Sequence, residues 1–173
     1  MKRILIFDID NTIVNSRFPN LNEKADIKEL KRRILNTPLN KDFIEYYRRI
    51  SNTARIKTYF FTGRKKRDFG EETFKQLEEL NLQPEQIKFF SDEFSHTPRH
   101  YERFKVYNTL AIALTHKDYE IVVYDDYADY FPVLLAKGLI FEIEKMKFYH
   151  VKNLSVFWKT KCKQLYPIEV NAK

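Results

Sequence analysis

The stretch Lys2-Arg3-Ile4-Leu5-Ile6-Phe7-Asp8-Ile9-Asp10-Asn11-Thr12 limits what this chain can fold into more than any other. A short unbroken apolar run bounded by polar residues is the pattern of a strand buried on both faces, which belongs to a parallel sheet covered by helices. The run ends in two carboxylates at i and i+2, which share a face of an extended chain. Neighbouring like charges at the mouth of a buried strand are costly unless something neutralises them. Two readings stand at this point: a cation-dependent carboxylate site, or a pair of turn and capping aspartates.

The remaining apolar segments alternate between strand and helix periodicity. Glu23–Leu35, with Ile27, Leu30 and Ile34, and Lys41–Ile50, with Phe43, Ile44, Tyr47 and Ile50, read as amphipathic helices. Ile56–Phe61 reads as a strand running into Thr62-Gly63-Arg64, followed by a helix over Arg67–Leu80 and a short strand over Gln86–Phe90. His96–Tyr101, which contains Pro98, reads as irregular, and Glu102–Leu114 as a helix. Tyr119–Tyr124 is a further apolar strand, again ending in carboxylates, Asp125-Asp126. A short helix over Tyr130–Ala136 stopped by Gly138, then a fifth strand over Leu139–Ile143, completes the series.

This alternation specifies an α/β fold: a three-layer α/β/α, Rossmann-like domain around a mostly parallel five-stranded sheet with right-handed crossovers. Ligands of such sheets bind beyond the carboxyl ends of the strands. Asp8, Asp10, Thr62, Asp125 and Asp126 all fall on that edge.

A length of 173 residues is that of one domain, 1–173. With 43% hydrophobic and 16% aromatic residues it has the makings of a packed core. A single cysteine, Cys162, excludes an intramolecular disulfide and suits a reducing compartment. The apolar run after Lys2-Arg3 is too short for a signal peptide or membrane span, so the expectation is a soluble cytoplasmic protein with no membrane partner. Three glycines, Gly63, Gly70 and Gly138, leave no room for a glycine-rich nucleotide loop. The net charge of +7 favours anionic partners. No feature of the chain specifies an oligomeric state.

Asp8-Ile9-Asp10-Asn11-Thr12 resembles the first motif, DxDxT, of the haloacid dehalogenase (HAD) superfamily. Thr62 in Phe60-Phe61-Thr62-Gly63-Arg64 is similar to its second motif, Lys105 to its third, and Asp125-Asp126 to its acidic fourth. The resemblance spans residues 3 to 143 and implies a Mg²⁺-dependent phosphatase working through an aspartyl-phosphate. It implies Asp8 as nucleophile and metal ligand, and Asp10 as acid/base that offers the metal its backbone carbonyl. Asp125 and Asp126 become metal ligands, with Asp129 the alternative to Asp126. Thr62, Gly63, Arg64 and Lys105 become the groups that bind the phosphoryl substrate. Lys105 is the expected cation, with Arg103 or Arg99 as alternatives.

The intervals between these motifs leave space for a small cap insertion over 15–38 and no full cap domain, an arrangement that in the family accompanies large substrates. Arg64-Lys65-Lys66-Arg67, and His96, Arg99, His100 and Arg103, stand near the site with Phe69, Phe94, Tyr101 and Phe104 interleaved. Basic groups can follow a phosphate backbone while aromatics stack on bases; equally, the cations can be a solvated face and the rings core. The segment Thr97–Lys105 followed by Tyr124-Asp125-Asp126 resembles the branch linked to RNA repair and polynucleotide 3′-phosphatases. The expected substrate is thus a phosphorylated RNA or DNA end. Small phosphorylated metabolites, a phosphoprotein, or a silent nucleic-acid-binding module are the alternatives. Residues 144–173 form a basic, aromatic extension expected to add a strand or helix.

Overall fold

The computed structural model describes residues 1–14, 26–82, 86–143 and 145–151, and the backbone of 162–167. The first part of the cap insertion and most of the C-terminal extension lie outside them.

A six-stranded sheet has the order β3-β2-β1-β4-β5-β6. Its strands are β1 (Arg3–Asp8), β2 (Ile56–Lys65), β3 (Ile87–Phe90), β4 (Glu120–Asp125), β5 (Met146–Val151) and β6 (Cys162–Pro167). The first five are mutually parallel, and β6 pairs antiparallel with β5. Helices α1 (Ile27–Asn36), α2 (Lys41–Ser51), α3 (Lys66–Leu77), α4 (Pro98–Thr115) and α5 (Phe131–Ile140) connect them, with a 3₁₀ turn at Glu78–Leu80.

β1 is central, and its period-2 alternation builds both cores. Leu5 and Phe7 join Phe43, Tyr47, Phe60 and Leu77 under α2 and α3. Ile4 and Ile6 join Phe61, Val106, Leu110, Val123, Phe131 and Phe148 under α4 and α5. Burial on both faces is why this strand carries no polar residue between Arg3 and Asp8. The chain moves outward from β1 through β2 to β3, then returns to β4 on the other side of β1. That reversal opens a crevice between the ends of β1 and β4, the place where open α/β sheets bind ligands.

Local chemistry sets the helix starts. Asp26 accepts from Lys28 N, and Asn40 Oδ1 from Asp42 N and Phe43 N. α4 begins at Pro98, four residues before the helix expected at Glu102, because Thr97 caps it through His100 N and a proline is welcome in a first turn. α1 lies against α3: Lys31 pairs with Glu72, and Gln76 Nε2 donates to the Ile34 and Thr37 carbonyls.

The fifth strand is displaced from its expected place. Gly138 lies inside α5, which runs on to Ile140, and the strand is Met146–Val151 rather than Leu139–Ile143. The glycine serves a close approach: a Cβ there would stand 2.9 Å from Met146 Sδ. The residue that turns the chain away is instead Glu142, just past the Phe141 C-cap, with a left-handed φ of 55°. Ile143 N bonds Gly138 O and Glu142 N bonds Leu139 O, the two closing bonds of a Schellman motif. Among the described residues no helix is long and apolar enough to cross a membrane.

Candidate active site

β1 delivers Asp8 to the crevice almost fully buried. Beyond it, Ile9 N still pairs with Phe61 O, after which Ile13 N and Val14 N converge on Ile9 O at 3.0 and 3.1 Å and reverse the chain. Asn11 sits at φ 59°, a left-handed conformation that asparagine adopts more readily than most residues. The reversal leaves Asp10 on the rim, with a side chain 20% exposed, beside Thr62 and Arg64 of β2.

On the inner side, Lys105 of α4 is fully buried and its Nζ bridges two strand ends. It donates to Asp8 Oδ1 and, at 2.8 Å, to Asp125 Oδ2. Tyr101 OH also donates to Asp8 Oδ1, at 3.2 Å, and the ammonium lies 5.0 Å from the Tyr101 ring centre. Asp125 is held further by Tyr130 OH on Oδ2 (2.8 Å) and Tyr127 N on Oδ1 (3.0 Å). Asp8, Asp125 and Asp126 each bring a carboxylate oxygen within 4.8 Å of the others. Arg99 and Arg103 stay exposed, and Asp129 is not part of this cluster.

The electrostatics follow from one ammonium set among three carboxylates. Burial pushes the Asp8 carboxyl well above the usual range, Lys105 opposing and Asp125 reinforcing the rise. Burial and the Asp125 charge carry Asp126 up to about 7. Burial pulls Lys105 down, but Asp125 and Asp8 outweigh it and hold the amine above its ordinary value. Burial, then the nearby carboxylates, raises Tyr101 and Tyr130, so both remain hydroxyl donors. With all three acids ionised, Lys105 leaves two negative charges, the complement of a divalent cation. The donors are all oxygen, the chemistry of Mg²⁺ or Ca²⁺ rather than of a thiophilic metal.

On the outer side, Thr62 is buried within β2; its Oγ1 accepts from Arg64 N at 3.1 Å and lies 3.4 Å from Asp10 Oδ2. Arg64 is turned inward onto Asp10. Gly63 faces Tyr101, whose Cε2 would lie 3.0 Å from a Cβ, and its carbonyl meets His96 Nε2 at 2.6 Å.

No protein-family model matches the chain. Nor does any curated protein sequence. Among solved structures, the HAD domain of the effector protein Lem4 from Legionella pneumophila matches with a TM-score of 0.52 at 16% identity, over 92% of this chain and 91% of that one. An inactive mutant of that domain matches with the same score and identity, over 92% and 90%. The chain has a HAD-type fold. This likeness speaks for the architecture; the chemistry has to come from the residues.

Within this HAD-type fold, the four sequence motifs converge on one crevice: Asp8, Lys105, Asp125 and Asp126 on its inner side, Asp10, Thr62 and Arg64 on its outer side. Tyr101, which the sequence offers only as one of several interleaved aromatics, and Tyr130, which it does not mark, join the site as hydroxyl donors to Asp8 and Asp125. The signal for Tyr101 was present, since it stands one helical turn before Lys105 and shares its face once α4 is known to start at Pro98. Tyr130 follows Asp125 in the loop before α5 and had no comparable marker.

Proposed function

We propose that this chain is a Mg²⁺-dependent phosphatase that hydrolyses phosphate monoesters through an aspartyl-phosphate on Asp8. The observation that carries the reading is the Lys105 bridge between Asp8 and Asp125, inside a carboxylate cluster whose charge Lys105 only partly offsets. Asp8, Asp125, Asp126 and the Asp10 backbone carbonyl are the groups that would hold the metal. The bound cation supplies Lewis-acid neutralisation of the phosphoryl oxygens as the negatively charged Asp8 approaches them.

The Asp8 carboxylate attacks phosphorus, the bond to the ester oxygen breaks, and Asp10 gives that oxygen a proton. Asp10 then takes a proton from a water that attacks phosphorus, releasing inorganic phosphate and restoring Asp8. Lys105 and Tyr101 orient the Asp8 carboxylate, and Thr62 with nearby backbone N–H groups holds phosphoryl oxygens. A generic aryl phosphate tests the reading: hydrolysis with Mg²⁺ is abolished by EDTA and by Asp8→Asn. Full activity in Asp8→Asn would overturn it.

For the substrate, the rim favours a phosphorylated nucleic-acid end. The loop after β3 presents Phe94, half-exposed and packed on His100 at 5.0 Å between ring centres, and the first turns of α4 expose Arg99 and Arg103. A ring to stack on and cations to meet phosphates suit an oligonucleotide terminus. Faster turnover of a 3′-phosphorylated oligonucleotide than of nucleotides or sugar phosphates supports this; the reverse order points to a small metabolite.

A further inference from the structure

We propose that Arg64 is a positioning residue for Asp10, and that α3 locks it in that role. The inference rests on the reading of Asp10 as the proton donor to the leaving oxygen. The basic run Arg64-Lys65-Lys66-Arg67 is divided by the fold. Lys65 Nζ meets the Asp92 carbonyl and Arg67 pairs with Asp68, both at the surface. Arg64 alone among these three turns inward, its side chain 3% exposed.

Thr62 and Arg64 stand at i and i+2 on β2 and so face the same way, toward Asp10. The guanidinium meets the carboxylate side-on, with Nη2 donating to Oδ1 at 2.6 Å and Nε to Oδ2 at 3.0 Å. Two parallel bonds fix the plane and direction of a carboxylate, which a single point charge does not. The remaining edge faces α3: Nη1 donates to Thr73 Oγ1 at 3.1 Å and to Gln76 Oε1 at 2.9 Å. Each partner is itself fixed. Thr73 Oγ1 donates to the Phe69 carbonyl, and Gln76 Nε2 donates to the Ile34 and Thr37 carbonyls at the end of α1. The Gln76 amide therefore has one orientation that satisfies both its neighbours, and Arg64 is clamped from behind while it grips Asp10. A phosphoryl oxygen could reach this guanidinium edge only by displacing Asp10. The geometry thus assigns Arg64 to the acid/base, and not to the substrate.

The test compares an aryl phosphate, whose leaving group departs without a proton, with an alkyl phosphate, whose leaving group needs one. In Arg64→Met, kcat/KM for the alkyl ester, which reads the step that expels the leaving group, falls about 100-fold. For the aryl ester kcat/KM falls less than about 3-fold, and KM rises for neither, the hydrolysis of the aspartyl-phosphate being common to both. Arg64→Lys keeps the charge without the fork and falls between. Thr73→Val, which removes a single acceptor behind the guanidinium, shifts the ratio the same way with little risk to folding. A second readout needs no turnover: the ¹³C resonance of the Asp10 carboxyl, assigned by its disappearance in Asp10→Asn, moves in Arg64→Met and Thr73→Val. Equal loss on both esters with a raised KM would make Arg64 a substrate ligand. An unmoved Asp10 resonance with an unchanged ester ratio would make it scaffold only. Either result overturns the proposal. Should the wild type hydrolyse neither ester, the phosphatase reading fails, while the resonance still decides whether Arg64 positions Asp10.

Discussion

Lys105 Nζ lies 2.8 Å from Asp125 Oδ2 while the same ammonium donates to Asp8, so one helix residue ties together the ends of two adjacent parallel strands. All three groups are almost fully shielded from solvent. Buried charges persist only when paired and hydrogen-bonded. Asp125 meets that condition through Lys105, Tyr130 and the Tyr127 amide.

Replacing Lys105 leaves that cluster without its cation. Lys105→Met removes one partner of a buried ion pair, a change that costs about 3–5 kcal/mol. Urea unfolding in EDTA measures it, and a metal-free protein as stable as the wild type would show that Lys105 does not compensate these acids. On the proposed reading, addition of Mg²⁺ should recover part of the loss, because a dication among these carboxylates would neutralise them.

Metal binding has its own signature in the wild type. A ligand that binds only the folded state, at 100 times its dissociation constant, stabilises by about 2.7 kcal/mol. If the cluster takes Mg²⁺ as proposed, thermal unfolding with and without the ion should show a rise in Tm, reversed by EDTA. Asp125→Asn and Asp126→Asn each diminish the rise, since both carboxylates lie in the cluster. Asp129→Asn leaves it intact.

The parts legible in sequence are those whose chemistry is contiguous. β1 and β4 announce themselves as apolar runs ending in acids, and the alternation of periods yields the parallel sheet with its site edge. Gly138 and Pro98 depart from expectation for the same reason: each reads locally as a break, and each has a tertiary or positional use inside a helix. Gly138 makes room for Met146, and the aliphatic run after it, Leu139 and Ile140, ends a helix with both side chains exposed. Pro98 opens α4 and so brings Tyr101 onto the face of Lys105. The direction of Arg64 depends on Thr73 and Gln76, which only the packing of α3 places behind it. Nothing in the local run distinguishes Arg64 from Lys65 or Arg67.

Tyr101 gives a test of the Asp8 environment that leaves every motif residue in place. Tyr101→Phe removes one of the two named donors on Asp8 Oδ1 and keeps the ring. We expect kcat/KM to fall about tenfold, equivalent to about 1.4 kcal/mol of transition-state stabilisation. Gly63→Ala reaches the same group indirectly, because its Cβ, 3.0 Å from Tyr101 Cε2, obliges the ring to shift. If Gly63→Ala lowers activity while Tyr101→Phe does not, the damage lies in the backbone of β2 and the hydroxyl is idle.

Glu120, at the far end of β4, sets a pH dependence separate from the active site. Its Oε2 accepts from Arg3 Nε at 2.7 Å and its Oε1 pairs with Lys147 Nζ at 2.8 Å, which ties β4 to both of its neighbours. Burial alone would raise this carboxyl, but Lys147 and Arg3 outweigh it and hold the group below its ordinary value. A carboxyl depressed in the folded state contributes stability above its unfolded value, near 4.5, and that contribution disappears as pH falls through the folded value. The Arg3 and Lys147 side chains are 44% and 35% exposed, so solvent screening confines the pair to about 1 kcal/mol. The measurement is the difference in unfolding free energy between wild type and Glu120→Gln, taken from pH 7 down to pH 3. The difference should be constant at the upper end and shrink below about pH 4.5. A gap that stays level across the whole range would mean that the two cations do not act through the Glu120 charge.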